Sequence, residues 1–136
     1  MKIVVLKFGG TSVGTTNKIK NVANIIHDYI KRRYKVIVVS SAMSGVTNLL
    51  VSKSKEISEN FSHSEYDVLV SSGEQVACSL IAGRLIHKGL KSRTWLGWQI
   101  PILTDGPYKF SRISKINKKK IINYLKSGGI PIITGF

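Results

Sequence analysis

Acidic residues are scarce in this chain. Seven Asp and Glu stand against 21 Lys and Arg, a net charge of +14 over 136 residues, and nothing after Asp105 is acidic. Such an excess raises nucleic acid, anionic membrane and phosphorylated ligands as partners. Aromatic residues, the stacking partners that nucleic-acid readers interleave with their cations, are also few, at 8%. In the most basic segment (Lys109, Arg112, Lys115, Lys118, Lys119, Lys120 and Lys126), Tyr108 and Phe110 sit at one end only. That distribution argues against nucleic acid and for a solvated helix face in a lysine-rich chain. A basic segment binding nucleic acid or another anion remains the alternative. The single cysteine, Cys78, excludes an internal disulfide and any Cys-cluster zinc site, and suits a reducing cytoplasm. On a helix, it reads as a packing residue rather than a nucleophile. His27, His63 and His87 lack metal-ligand spacing, so no metal site is expected. No Ser-His-Asp order and no paired carboxylates stand out. No apolar run approaches the ~20 residues of a membrane span. The N-terminal run Met1 to Leu6 meets Lys7 and then glycines, too soon for a secretory leader.

What the chain does have is apolar residues, 43% of the total, enough for a core at this length. Ile3 to Phe8 is a short apolar run stopped by Gly9-Gly10 and reads as a buried strand. Ile19, Val22, Ala23, Ile26 and Ile30 recur at helical spacing over 17–33, with Asn17 as a cap. Val36 to Val39 reads as a second buried strand. Val46, Leu49, Leu50 and Ile57 form one stripe of a helix over 44–60. A further helix over 65–88 has Tyr66, Leu69, Val70, Val76, Ala77, Leu80, Ile81 and Leu85 on one face, is interrupted by Gly73, and stops at Gly89. Thr94 to Leu96 is a weaker strand, 97–111 reads as irregular, Asn117 caps a short helix, and Ile130 to Thr134 is a last strand. The order β-α-β-α-α-β-loop-α-β predicts an α/β fold: three αβα layers around a mainly parallel sheet. In such sheets ligands bind beyond the carboxyl ends of the strands.

Three segments place polar or glycine residues after, or inside, an apolar element. In Lys7-Phe8-Gly9-Gly10-Thr11-Ser12 the glycines let backbone N–H groups approach an anion and Lys7 adds a point charge; a plain turn beside an exposed lysine is the simpler reading. Ser40 to Asn48 follows a strand and opens a helix, an anion seat, or merely a helix capped by Ser44. In Ser71-Ser72-Gly73-Glu74-Gln75 a mid-helix glycine costs roughly 1 kcal/mol against alanine, which suggests a reason for it. Glycine there permits close backbone approach, and Glu74 can hold a ligand ammonium or stand as a surface carboxylate.

Taken in order, Lys7-Phe8-Gly9-Gly10-Thr11-Ser12-Val13, Ser41-Ala42-Met43-Ser44-Gly45-Val46-Thr47-Asn48 and Ser72-Gly73-Glu74 closely resemble the aspartokinase signatures of the amino acid kinase family. The likeness runs through Gly97-Trp98-Gln99-Ile100-Pro101, where many members have Gln-Ala-Gly, to Ile133-Thr134-Gly135-Phe136. Thr11-Ser12 and Ser41 to Asn48 disfavour the family's other kinases. The resemblance implies an incomplete amino-acid-kinase fold and a reaction: ATP with Mg2+ phosphorylates the β-carboxylate of L-aspartate to 4-phospho-L-aspartate, the entry to lysine (diaminopimelate), threonine and methionine synthesis. It implies that Lys7 is catalytic, that Lys7, Phe8, Gly9 and Gly10 bind ATP phosphates, and that Ser41, Thr47 and Glu74 bind aspartate. It further implies a cytoplasmic protein whose residues 1–136 are the N-terminal portion of the catalytic domain. The Gly-Arg-Gly-Gly-Ser-Asp motif, the nucleotide-binding half and the C-terminal ACT regulatory domains are missing. On that reading the chain alone is inactive, works with a separate C-terminal half or as a homo-oligomer, and leaves Ile130 to Thr134 as an exposed strand prone to aggregation.

Overall fold

The computed structural model describes residues 2–135; Met1 and Phe136, which open and close the stretches read above, lie outside the described residues. The elements are β1 (Ile3–Phe8), α1 (Thr16–Lys31), β2 (Lys35–Ser40), α2 (Val46–Ile57), α3 (His63–His87), β3 (Ser92–Trp95), a 3-10 turn at Gly97–Gln99, β4 (Ile102–Asp105), β5 (Arg112–Ile116), α4 (Lys119–Lys126) and β6 (Ile130–Thr134). Four strands form one parallel sheet in the order β1-β2-β6-β3. Period-two alternation sends the strand side chains to opposite faces. Val36, Val38, Ile130 and Ile132 meet Ile19, Val22, Ala23 and Ile26 of α1 and Ala77, Cys78, Ile81 and Leu85 of α3. On the other face Ile37 and Ile133 meet Trp95, Ile100, and Ile121 and Tyr124 near and on α4. Helices therefore cover both faces, as the α/β pattern requires. Each fully buried Ile or Val of these cores contributes about 1.5–3 kcal/mol.

Several details differ from the sequence expectations. β1 is an edge strand rather than a buried one: Val4, Leu6 and Phe8 pack into the core while Ile3, Val5 and Lys7 face out. β6 is not exposed; it lies between β2 and β3, and Ile130, Pro131 and Ile132 are buried. An open edge along Ile130 to Thr134 is thus overturned, because the last strand to form in sequence inserts into the middle of the sheet. The stretch read as irregular contains β4, which pairs antiparallel with β5 as a two-stranded hairpin. Only Ile102 of the two strands packs against a core, and the remaining residues are exposed, so alternation left little trace. Part of the basic segment read as a helix face is this hairpin: Arg112 and Lys115 are on β5, and only Lys119, Lys120 and Lys126 are on α4.

Caps shift by a residue or two. Thr15, not Asn17, accepts the Lys18 N–H at the start of α1. Gly45, not Ser44, holds the N-cap of α2, with φ +80°. Asn117 Oδ1 does accept from the Lys119 N–H at the start of α4. Gly89 ends α3 at φ +77°, and the Leu90 N–H donates back to the Leu85 carbonyl. Leu49 and Ile57 of α2, and Val76 and Leu80 of α3, face out rather than in. α3 is apolar nearly all round, so spacing alone could not choose its buried face.

Candidate active site

The carboxyl ends of three strands lie side by side, Phe8 beside Ser40 beside Thr134 in register. The ladder continues one residue past them: the Ser41 N–H donates to the Phe8 carbonyl at 3.0 Å and the Gly135 N–H to the Ser40 carbonyl at 3.0 Å. The loops after β1 and β2 leave from this edge together.

Their contact explains two glycines. A Cβ on Gly10 would stand 3.0 Å from the Ala42 carbonyl oxygen, and one on Gly14 would stand 3.2 Å from Ser44 Cβ. Gly9 is different: nothing lies within 4 Å of its Cβ position, so its backbone is bare toward solvent. Gly10 is thus needed for one loop to meet the other, in addition to any anion it could face. Lys7 is exposed on the face opposite the main core. Phe8 turns its ring into that core and gives its carbonyl to Ser41. Lys18 Nζ donates to the Thr11 carbonyl at 2.9 Å and holds the first loop to α1.

In the second loop Ser40 is buried and its hydroxyl donates to the Ser41 carbonyl at 3.1 Å. Ser41 is half-buried, Ala42 is buried, and Thr47 stands half-buried in the first turn of α2. The third segment lies on α3, which runs through Gly73 without interruption. The Ser71 and Ser72 hydroxyls bond back to the Val68 and Leu69 carbonyls of their own helix. Glu74 is buried at 3% exposure, so the reading as a surface carboxylate is wrong.

Gly73 has a packing reason. A Cβ there would meet Val46 Cγ1 at 3.0 Å, Ala42 Cβ at 3.1 Å and Leu50 Cδ1 at 3.3 Å. Ala42 is therefore where all three segments meet, its carbonyl against Gly10 and its methyl against Gly73. Sequence reasoning passed over Ala42; its one signal was a small residue among hydroxyl residues directly after a strand. Gly73→Ala is expected to force α2 away from α3. Overpacking costs about 1–3 kcal/mol, against roughly 1 kcal/mol gained in helix propensity. Urea unfolding should show a lowered midpoint with an unchanged slope.

One turn beyond Glu74 lies Cys78, fully buried and free. Burial, and secondly the Glu74 charge, push its thiol up from 9.0 to about 12, while a backbone hydrogen bond from Ser40 pulls the other way. Glu74, Cys78 and the end of β2 are thus neighbours. The folded thiol ionises at higher pH than the unfolded one. It therefore favours the fold below about pH 9, and that contribution is lost as pH rises toward about 12. Native Cys78 should resist alkylation at pH 8 and react once the chain is unfolded, and the melting temperature should fall above pH 9.

Among the described residues no three His, Cys, Asp or Glu converge as a metal site needs, and no helix is long and apolar enough to cross a membrane. What the edge offers is an exposed ammonium at Lys7, bare glycine backbone, two half-buried hydroxyl side chains and a buried carboxylate. That set suits a zwitterionic ligand beside a phosphate.

Residues 2–136 match the model of the amino acid kinase family. The chain is 44% identical over 139 residues to an aspartokinase of Rickettsia felis, covering all of this chain and 35% of that protein. It superposes on an aspartate kinase from Synechocystis with TM-score 0.80 at 31% identity, covering 98% of this chain and 21% of the other. At 20% identity, the fold also matches E. coli aspartokinase III, solved with aspartate and ADP, with TM-score 0.83 over the whole chain and 41% of that enzyme. The chain spans about a third of the length of the curated relatives it matches.

Proposed function

Because the chain belongs to the amino acid kinase family, we propose that it carries the aspartate-binding part of an aspartate kinase, the N-terminal portion of the catalytic domain. The observation that carries this reading is the meeting of Lys7-Phe8-Gly9-Gly10, Ser41 to Thr47 and Gly73-Glu74 around Ala42 at the carboxyl edge of the sheet. In the reaction a β-carboxylate oxygen of L-aspartate attacks the γ-phosphorus of ATP. The bond from that phosphorus to the β,γ-bridging oxygen breaks, and ADP leaves. The acceptor ionises near pH 3.9, so it is already a nucleophile at neutral pH and needs no general base. That fits the sequence, in which no histidine or carboxylate pair stands out as a general base. The task left to the protein is positioning and charge stabilisation.

Lys7 faces the transferring phosphoryl and stabilises its charge. The N–H groups around Gly9 and Gly10 hold ATP phosphates; Phe8 contributes through its backbone position, since its ring belongs to the core. Ser41 and Thr47 hold aspartate, and Glu74 receives its α-ammonium. Magnesium arrives with the nucleotide as part of the substrate. The product feeds lysine (diaminopimelate), threonine and methionine synthesis. The nucleotide-binding half and ACT regulatory domains correspond to the two-thirds of the relatives that this chain does not span, and residues 1–136 alone do not turn over.

The test is a chimera: residues 1–136 followed by the part of the Rickettsia felis aspartokinase beyond its matched segment. Acyl phosphate is trapped with hydroxylamine as the hydroxamate. ATP- and L-aspartate-dependent hydroxamate from the chimera, and none from the 136-residue chain, is the expected result. A chimera that phosphorylates glutamate or carbamate but not aspartate would overturn the assignment.

A further inference from the structure

The candidate active site uses the carboxyl ends of the strands. At the opposite end, where β2 and β6 begin, a cavity of about 280 Å3 opens. Arg33 and Lys35 line it together with the apolar side chains of Ile30, Val36, Leu90 and Ile130, and none of its lining residues is acidic. The length of β2, from Lys35 to Ser40, separates the two places by about 17 Å at about 3.3 Å per residue. Three helices end with the same left-handed turn. After α3 and α4 the left-handed residue is glycine, Gly89 at φ +77° and Gly128 at φ +82°; after α1 it is Arg33 at φ +64°. Glycine takes that conformation freely, whereas a residue with a side chain is strained in it. The turn itself therefore gives no reason for an arginine. Contacts within the fold give none either. Among the described residues neither the Arg33 guanidinium nor the Lys35 ammonium has a hydrogen-bond or ion-pair partner. Neighbouring lysines do: Lys88 donates to Asn24 Oδ1 at 3.0 Å and Lys91 to Ser127 Oγ at 2.9 Å. The helix ends do not claim the two cations, because the Tyr29, Leu85 and Tyr124 carbonyls accept from Tyr34, Leu90 and Gly129 of their own turns.

We propose that this cavity is a second ligand site, for a small organic carboxylate with an apolar body. The planar fork of Arg33 matches the two oxygens of a carboxylate, and half-buried Lys35 adds a point charge beside it. Ile30, Val36, Leu90 and Ile130 take the apolar body. The volume is near the lower end, about 300 Å3, of small-molecule sites, which suits a ligand the size of hexanoate or benzoate. Two other classes fit less well. An amino acid would bring an ammonium to a cavity without an acidic side chain. A phosphate is best held by free backbone N–H groups, but those of Gly128 and Gly129 already donate to the Leu125 and Tyr124 carbonyls at 3.2 and 3.0 Å. The ligand braces the starts of β2 and β6, the two strands whose other ends, Ser40 and Thr134, stand side by side at the candidate active site. The cavity shares no residue with that site, so the proposal does not rest on the kinase reading.

The test is a titration of the isotope-labelled chain with hexanoate, followed by its backbone amide resonances. Saturable shifts at millimolar hexanoate are expected at Arg33, Val36, Leu90 and Gly129, and none at Gly9 or Ser41. Hexanol and hexylammonium, which lack the carboxylate, should leave the same amides unmoved, as should L-aspartate. Hexanoate should also raise the melting temperature, because it binds the folded chain. Arg33→Gly should weaken hexanoate binding about tenfold or more. Its melting temperature without ligand should hold or rise, since glycine relieves the left-handed backbone. Lys35→Met keeps the aliphatic stem, removes the charge, and should weaken binding as well. The absence of saturable shifts at tens of millimolar hexanoate overturns the proposal. Hexanol binding as tightly as hexanoate would make the cavity a plain apolar groove, and inorganic phosphate binding as tightly would make it a general anion site; either result overturns the carboxylate assignment. So do Arg33→Gly and Lys35→Met variants that bind hexanoate like the parent.

Discussion

Replacing Lys7 by alanine in the Rickettsia felis chimera is expected to lower kcat by about 10²–10³-fold. The reason is that, in the proposed reaction, the ammonium acts on charge that develops only during transfer. Lys7 is the penultimate residue of an edge strand, with its side chain outside both cores, so its removal leaves no cavity and the fold should persist. An interaction made only in the transition state lowers kcat and kcat/KM together. KM for aspartate should therefore move little. Arginine at this position keeps the charge but changes its reach and shape, and should recover only part of the rate. Unchanged turnover in Lys7→Ala would remove the residue from the phosphoryl site and leave it a solvent-facing lysine on β1.

Glu74→Gln should separate differently. A hydrogen bond to a charged group contributes about 1.5–3 kcal/mol, so KM for L-aspartate should rise roughly 10- to 100-fold. kcat should change much less, since the α-ammonium is distant from the reacting β-carboxylate. Aspartate analogues without the amino group should bind the parent weakly and the variant no worse. Glutamine keeps the shape of the buried side chain, so the melt should remain cooperative. An unchanged KM would assign Glu74 to the support of β2 and Cys78 instead of to the ligand.

These residues differ in how openly the sequence declares them. Lys7, Gly9 and Gly10 follow a clean apolar run, and a glycine pair after a strand announces a tight approach whatever its purpose. Glu74 is harder. Beside Gly73 in an apolar helix it could have been a surface residue, and its burial depends on which way α3 is turned. Because α3 is apolar nearly all round, periodicity assigned Val76 and Leu80 to the core when they lie outside it. Gly73 was legible as a site of close approach, but what approaches is α2 and Ala42, contacts between residues about 30 apart in sequence. The β4–β5 hairpin was missed for a related reason. Apart from Ile102 neither strand packs on a core, so burial imposed no alternation on its residues.

By itself the sequence determined the α/β class, the succession of the helices and of the four strands of the main sheet, and the three segments to which the proposed chemistry is assigned. Those depend on local propensity and on apolar periodicity, which are written along the chain. Only the tertiary structure decided that β6 lies between β2 and β3, that β1 is an edge, that Ala42 joins the three segments, and that one face of α3 remains uncovered. Each of these is a choice among non-local pairings of nearly equivalent apolar surfaces. The physical reason is that burial rewards contact without naming the partner: strand order, helix rotation and glycine clearance are settled only when all the elements compete for the same two faces of one sheet.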